Sequence, residues 1–191
     1  MSTPPPTEPM PHKSWTLLGS RQIADYKVLR FREDRYRFEP TGAEADFAVC
    51  DSADWAFVIP VTTDGQVVFI RQYRHGAQQV VLELPGGLMD GDEPPEVTAA
   101  RELREETGYE SERLRLLGKL LPNPGLNNAS CYVFVAERCC LQDAPDLDPL
   151  ERIEVVLRPL NDVQEMIRTG ELCHAQAIAA FALMEAVKKA E

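Results

Sequence analysis

The sequence is short of cationic side chains and of long apolar runs. Lys and Arg number 20 against 31 Asp and Glu, so the formal net charge of the 191-residue chain is −11. This excess of negative charge argues against binding to a nucleic-acid backbone or an anionic membrane, because both need a cationic face. No apolar run approaches the roughly 18 residues that a membrane-spanning helix requires. We therefore expect no nucleic-acid partner and no membrane partner.

Cysteine is present but is not arranged as a disulfide framework. The five cysteines are odd in number, contain no CxxC spacing, and include adjacent Cys139 and Cys140, which are poorly placed to pair. We interpret all five as reduced thiols. The N-terminal segment lacks the basic-then-apolar layout of a signal peptide. Together these features predict a cytoplasmic protein.

Length and proline distribution predict one folded domain behind a tail. Residues 2–11 hold five of the 15 prolines and almost no apolar side chains. Such a segment buries too little surface to offset the entropy of ordering, so residues 1–14 are predicted to be a flexible tail. Residues 15–191 are predicted to form a single domain. Within it, residues 15–50 form an N-terminal β subregion of short strands.

Local patterns predict an α+β fold with strands on both sides of a central helix. Prolines 94 and 95 suit the first turn of that helix and Gly108 suits its C-terminal cap. Alternating aromatic and β-branched residues predict strands or hairpins elsewhere, including one hairpin around Thr63-Asp64-Gly65. The predicted strands cover residues 26–32, 35–38, 55–61, 66–73, 80–84, 114–120, 131–135 and 153–157, and two further helices cover 161–168 and 175–188. The expected architecture is an α+β sandwich.

Three glutamates on the central helix carry the chemical signal. Glu102, Glu105 and Glu106 stand at i, i+3 and i+4, so their carboxylates project from one helical face. Two carboxylates about 5 Å apart repel each other by roughly 3 kcal/mol at an effective dielectric constant near 20. Arg101 and Arg104 can offset part of this repulsion, in which case the glutamates are a solvated face with salt bridges. A divalent cation with a preference for oxygen ligands, such as Mg²⁺ or Mn²⁺, would offset it better.

A longer pattern surrounds these glutamates. Gly86 and Gly87 expose backbone groups without side-chain obstruction, and Glu93 can anchor the intervening loop to Arg101. The segment 86–109 resembles the Nudix box, G-x5-E-x7-R-E-U-x-E-E-x-G-U, in which U is a bulky apolar residue. Its fixed positions are occupied by Gly87, Glu93, Arg101, Glu102, Leu103, Glu105, Glu106, Gly108 and Tyr109. The resemblance implies a Nudix α/β/α sandwich with a mixed central sheet and an N-terminal antiparallel sheet.

The resemblance extends over roughly residues 15–188. The segments 71–74 (RQYR) and 83–87 (ELPGG) and the terminal helix resemble the ADP-ribose pyrophosphatase branch of Nudix hydrolases. This branch implies hydrolysis, dependent on Mg²⁺ with Mn²⁺ as a substitute, of a nucleoside diphosphate linked to a small molecule. For ADP-ribose the products are AMP and ribose 5-phosphate. It also implies a homodimer that uses the N-terminal strands.

The branch implies roles for individual residues. Glu105, Glu106 and Glu151 are the expected catalytic residues, with Glu151 as the general base that activates water. The expected substrate-binding residues are Arg74, Glu83, Gly87 and Pro124, and the expected metal ligands are Gly86, through its carbonyl, with Glu102, Glu105, Glu106 and Glu151. No role is assigned to His174.

Other substrates and one other class of function stay open. The loop at 122–128 keeps Pro124-Gly125 but carries Asn127 and Asn128 where this branch often has acidic residues. Alternatives are therefore another nucleotide sugar, a dinucleotide or a coenzyme A derivative as substrate. A non-catalytic sensor of ADP-ribose or a nucleotide is the alternative outside enzymes, although such sensors typically lose box glutamates and none is missing here.

Overall fold

The computed structural model describes residues 14–189, so the predicted flexible tail lies outside the described residues except for Ser14. The chain divides into two compact units. In the described range, the first unit comprises residues 14–52 and 123–128, and the second comprises residues 53–122 and 129–189. The prediction that residues 15–191 act as one domain stays a prediction.

The first unit is a three-stranded antiparallel sheet formed by β1 (Trp15–Tyr26), β2 (Leu29–Phe38) and β3 (Ala43–Ser52). Strand β2 lies between the other two. The two strands predicted at 26–32 and 35–38 are wrong in their bounds, because the chain turns after Tyr26 and β2 then continues through Asp34. That buried carboxylate accepts hydrogen bonds from Ser20 (2.6 Å) and from Arg32 (3.0 Å), which makes a charge tolerable inside the strand.

The second unit contains an eight-stranded mixed sheet and three α-helices. The strands are β4 (Trp55–Thr62), β5 (Gln66–Arg74), β6 (Gln79–Glu83), β7 (Gly86–Leu88), β8 (Tyr109–Glu110), β9 (Arg113–Leu120), β10 (Cys131–Leu141) and β11 (Ile153–Pro159). A central path runs β11-β5-β4-β10-β8, β10 pairs parallel with β4, and the other pairings are antiparallel. The helices are α1 (Pro95–Thr107), α2 (Val163–Thr169) and α3 (Ala175–Lys188). None of these helices in the described part of the chain is long and apolar enough to cross a membrane.

Strand β4 lies between two cores. Ala56 and Val58 pack in a cluster with Leu103 of α1, whereas Phe57 and Ile59 belong to the larger cluster that includes residues of α2 and α3. Adjacent residues of a strand point to opposite faces, so a strand buried on both sides reads as a continuous apolar run. The predicted α+β sandwich is therefore confirmed, with α1 on one face of the sheet and α2 and α3 on the other.

Helix α1 begins and ends where the sequence predicts. Pro95 occupies its first position, where a missing N–H costs nothing. Gly108 follows the helix at φ 73°, and its N–H donates to the carbonyl of Arg104 at 2.7 Å. A Cβ on Gly108 would lie 2.0 Å from the carbonyl oxygen of Asp143, so this position needs glycine for space as well as for conformation. These ends place Glu102, Glu105 and Glu106 within one continuous helix.

Candidate active site

The carboxylates of α1 lie close to Gly86 and Gly87, the first two residues of β7. Oε2 of Glu106 accepts a 2.7 Å hydrogen bond from the main-chain N–H of Gly86. A Cβ on Gly86 would lie 2.2 Å from the carbonyl oxygen of Ala56, and one on Gly87 would lie 2.3 Å from Oε1 of Glu102. Both positions therefore need glycine because other backbone and carboxylate atoms approach them closely. Sequence reasoning placed these residues together, and the structure does so too.

Glu106 is buried and Glu102 is half-buried, so both carboxylates lose contact with water. Glu106 is only 5% exposed, and burial raises its pKa to about 8. The charges of Glu102 and Glu151 act in the same direction, while the hydrogen bond from Gly86 acts against it. Burial also raises the pKa of Glu102, although the guanidinium of Arg101 lowers it in part. Burial therefore disfavours the ionised form of both carboxylates, and only Glu102 has a guanidinium bonded to it.

Arg101 gathers the remaining carboxylates of the box. Its Nη2 donates to Glu93 at 3.1 Å, and its Nη1 donates to Glu102 at 2.7 Å and to Glu105 at 3.0 Å. The predicted anchor between Glu93 and Arg101 is confirmed. The expectation that Arg104 also offsets the glutamate charge is wrong, because Arg104 pairs with Glu110 and with Asp143 instead.

The donor chemistry of this face fits a hard divalent cation. Within residues 14–189 no three acidic, imidazole or thiol side chains already converge as a ready-made metal site. Glu102 and Glu105 lean toward Arg101, while Glu106 leans toward Gly86. Carboxylate and backbone carbonyl oxygens are nevertheless the ligands that Mg²⁺ and Mn²⁺ prefer, and the raised pKa of Glu106 shows that added positive charge would stabilise this carboxylate.

Arg74 and Glu83 form a second charged group in the same unit. Glu83 is 0% exposed at the end of β6, and Arg74 ends the neighbouring strand β5 with its side chain 44% exposed. Nε and Nη2 of Arg74 donate to the two carboxylate oxygens of Glu83, each at 2.8 Å. This bidentate arrangement satisfies the buried carboxylate and leaves other donors of Arg74 free for a ligand.

A cavity of about 430 Å³ is lined both by Arg74 and Glu83 and by Gly86 and Gly87. Its polar lining includes Arg74, Glu83 and the backbone of Gly86 and Gly87, together with the side chain of His174. Sequence reasoning gave His174 no role, because only the fold brings the start of α3 beside the end of β6. Its Nδ1 lies 3.7 Å from Oε2 of Glu83. The remaining lining residues are Trp55, Phe57, Ala77, Val81, Leu88 and Gln176.

The two loop residues predicted for the site lie in different units. Glu151 is exposed in the loop between β10 and β11, where its N–H donates to the carbonyl of Asp148 at 2.8 Å. Its charge raises the pKa of both Glu102 and Glu106, so it lies within electrostatic reach of them. Pro124 belongs to the 123–128 segment of the first unit. In that unit Cys50 donates to the carbonyl of Leu126 at 2.8 Å, which holds the segment on β3.

The chain is similar to a known protein family, to characterised proteins and to a solved structure. The family described as "NUDIX domain" matches residues 53–181. ADP-ribose pyrophosphatase of Bacillus subtilis (strain 168) is 33% identical over 169 residues, covering 88% of this chain and 91% of that protein. Methanol dehydrogenase activator of Bacillus methanolicus is 27% identical over 175 residues, covering 90% and 94% respectively. A crystal structure of an ADP compounds hydrolase superposes with a TM-score of 0.81 at 21% identity, over 93% of this chain and 96% of that chain.

Proposed function

We propose a function from one premise: this chain belongs to the NUDIX domain family, whose match covers residues 53–181. The resemblance of segment 86–109 to the Nudix box is thereby confirmed, and so is the Nudix α/β/α fold. The chain is accordingly a hydrolase that acts on pyrophosphate bonds.

The proposed reaction is hydrolysis of the pyrophosphate bond in a nucleoside diphosphate linked to a sugar. ADP-ribose is the preferred substrate in this proposal, with AMP and ribose 5-phosphate as products. The relative that shares 33% identity is named for this activity. The observation that carries the proposal is the buried carboxylate of Glu106, bonded to Gly86 at 2.7 Å beside a cavity whose charged donor is Arg74.

The carboxylate face would hold the divalent cation that such a reaction needs. We propose Mg²⁺, with Mn²⁺ as a substitute, held by the carbonyl of Gly86 and by Glu102, Glu105, Glu106 and Glu151. A cation bound there neutralises the diphosphate oxygens and makes an attacking water more acidic. Glu105, 45% exposed, is the carboxylate of the box with the freest access to solvent.

Proton transfer is assigned to Glu151. Its loop position leaves the carboxylate exposed, as a group that accepts a proton from water must be. Glu105 and Glu106 complete the proposed catalytic set, because they would hold the positive charge of the cation close to the reacting phosphorus. No covalent nucleophile is required, because charge neutralisation and a positioned water suffice for phosphoryl transfer.

Substrate binding is assigned to Arg74, Glu83, Gly87 and Pro124. Because Glu83 is fully buried under Arg74, we propose that it acts through the guanidinium and that the guanidinium contacts the ligand. Gly87 supplies backbone beside Glu102, at a point where a side chain does not fit. Pro124 is retained as a substrate contact on the strength of the resemblance.

Assembly and location are further parts of the proposal. We propose a homodimer formed through the first unit, since its sheet leaves several large apolar side chains exposed: Trp15, Leu17, Ile23, Tyr26 and Phe47. All five cysteines are free, and we propose a cytoplasmic location, where thiols stay reduced. The proposed partner is a small molecule, with no nucleic acid and no membrane.

A substrate panel tests the function directly. ADP-ribose, GDP-mannose, UDP-glucose, NADH, coenzyme A and diadenosine polyphosphates are incubated in excess Mg²⁺, and release of a nucleoside monophosphate is followed. We expect turnover of ADP-ribose that is lost in Glu106→Gln and kept in Glu96→Gln, an exposed glutamate in the first turn of the same helix. Turnover of another compound instead would reassign the substrate. Saturable binding without any turnover would favour the sensor.

A further inference from the structure

The buried carboxylate of Glu83 has a second neighbour besides Arg74. Nδ1 of His174 lies 3.7 Å from its Oε2, slightly beyond hydrogen-bond length. Among the described residues this nitrogen has no hydrogen-bond partner, although it is buried. Buried side-chain nitrogens nearly always have a hydrogen-bond partner. The lack of one at Nδ1, next to the Arg74–Glu83 pair, therefore needs a physical reason.

The position of the imidazole is set by packing. Its ring meets that of Phe57 edge to face, with centroids 5.6 Å apart and planes at 82°. Phe57 is buried in β4 opposite Gly86, and the carbonyl of His174 accepts from the N–H of Ile178 at 3.0 Å as α3 begins. Both supports are rigid elements of the second unit. The side chain is 20% exposed while Nδ1 is buried, so another part of the ring faces the cavity.

Electrostatics favours one tautomer of this ring. Burial lowers the pKa of His174, and the positive charge of Arg74 lowers it further against the opposing effect of Glu83, so the imidazole is neutral at pH 7. A neutral imidazole carries one N–H. An N–H at Nδ1 is attracted to Oε2 of Glu83, whereas a lone pair there is repelled. The side chain of Gln176 also interacts with the ring, and this interaction raises the pKa of His174 in part.

We propose that His174 is a positioning residue that holds Glu83, and through it Arg74, in the geometry that binds the substrate. The Nδ1–H of His174 closes on Oε2 of Glu83 and adds a third hydrogen bond to the two that Arg74 donates at 2.8 Å. The carboxylate is then held from two sides, and the free donors of Arg74 stay directed into the cavity. This inference rests on the proposed function, because it assigns the Arg74 guanidinium to the substrate.

Two replacements of His174 separate the Nδ1–H from the bulk of the ring. His174→Phe keeps an aromatic ring against Phe57 but has no donor, while His174→Asn places an amide N–H near the position of Nδ1. We expect KM for the nucleotide sugar to rise about tenfold in His174→Phe with kcat changed less than about twofold, and to return close to the parent value in His174→Asn. Cys173→Ser, at the exposed neighbouring position, serves as the matched control and should behave like the parent.

Three results would overturn the role of His174. They are an unchanged KM in His174→Phe, an equal loss in His174→Asn, and a loss of activity that follows a lowered melting temperature in both variants. A double-mutant cycle with Glu83→Gln adds a further criterion. If His174 acts through Glu83, His174→Phe has little further effect on KM in the Glu83→Gln background. A full additional loss there would contradict the inference.

The tautomer provides a readout that does not depend on turnover. The chain has three histidines, so selective ¹³C/¹⁵N labelling gives a spectrum in which His174 is identified by its loss in His174→Asn. We expect the neutral Nδ1–H form at pH 7, and a neutral Nε2–H form would reject the inference. If the parent protein hydrolyses nothing on the substrate panel, the proposed function fails, and this spectrum still decides whether His174 holds Glu83.

Discussion

The main-chain N–H of Gly86 and the carboxylate of Glu106 are joined by a 2.7 Å hydrogen bond, which links the first residue of β7 to the last turn of α1. Among the described residues, this is the one hydrogen bond found for the buried carboxylate of Glu106. Glu106 is thus held in place but left short of positive charge. The first two predictions below depend on this balance.

Glu106→Gln should stabilise the metal-free protein while abolishing turnover. The amide oxygen can still accept from Gly86, and the cost of burying a charge beside Glu102 disappears. In EDTA at pH 8 we expect the free energy of unfolding to rise by about 1 kcal/mol, and in Mg²⁺ we expect kcat to fall at least about 100-fold. Urea denaturation and a turnover assay measure both, with Glu96→Gln as control. A less stable variant would contradict this account.

The stability of the metal-free protein should fall as pH rises through about 8. Burial raises the pKa of Glu106 to about 8 in the folded chain, above the ordinary value of 4.5. Between these values the folded state binds more protons than the unfolded state, so this contribution is complete below pH 4.5 and is lost as pH rises through 8. Melting temperatures in EDTA from pH 5 to 9 should show a decline that is weaker in Glu106→Gln. Equal slopes for the two proteins would show that Glu106 is not the source.

Gly87→Ala should impair activity more than stability. The new methyl group would lie 2.3 Å from Oε1 of Glu102, so that carboxylate must move away from its place beside Arg101. We expect kcat/KM to fall about 100-fold because metal ligands tolerate little displacement. Gly19→Ala is the matched control, since a Cβ there has nothing within 4 Å. Full activity in Gly87→Ala would place the substrate and metal elsewhere.

Arg101→Lys should destabilise the fold although it keeps the charge. A lysine cannot reproduce the planar fork that contacts Glu93, Glu102 and Glu105 together. We expect a loss of about 2 kcal/mol in the free energy of unfolding, because the group is mostly shielded from water. Arg21→Lys, in the exposed pair with Glu33, should cost less than about 0.5 kcal/mol. Chemical denaturation of both variants compares them, and similar small losses would refute the expected difference.

The sequence by itself determined the central helix and the chemistry of its face. Pro95 at the start, Gly108 at φ 73° at the end and the i, i+3, i+4 spacing of the glutamates are local features, so the family and the anchor from Arg101 to Glu93 could be predicted. Bounds elsewhere were harder to predict. The 153–157 strand runs on to Pro159, and β10 continues to Leu141 past an irregularity at Arg138, whose φ of 57° no local pattern announces.

Only the tertiary structure decided which charged groups meet. Arg104 pairs with Glu110 and Asp143 rather than with the glutamates of its own helix, because β8 and the chain after β10 come closer to it. His174 lies beside Glu83 because α3 packs on the sheet at the end of β6. The contacts of Arg104 with Asp143 and of His174 with Glu83 join residues far apart in sequence and depend on how the layers pack. Helix ends and helix faces depend instead on residues within a few positions of one another.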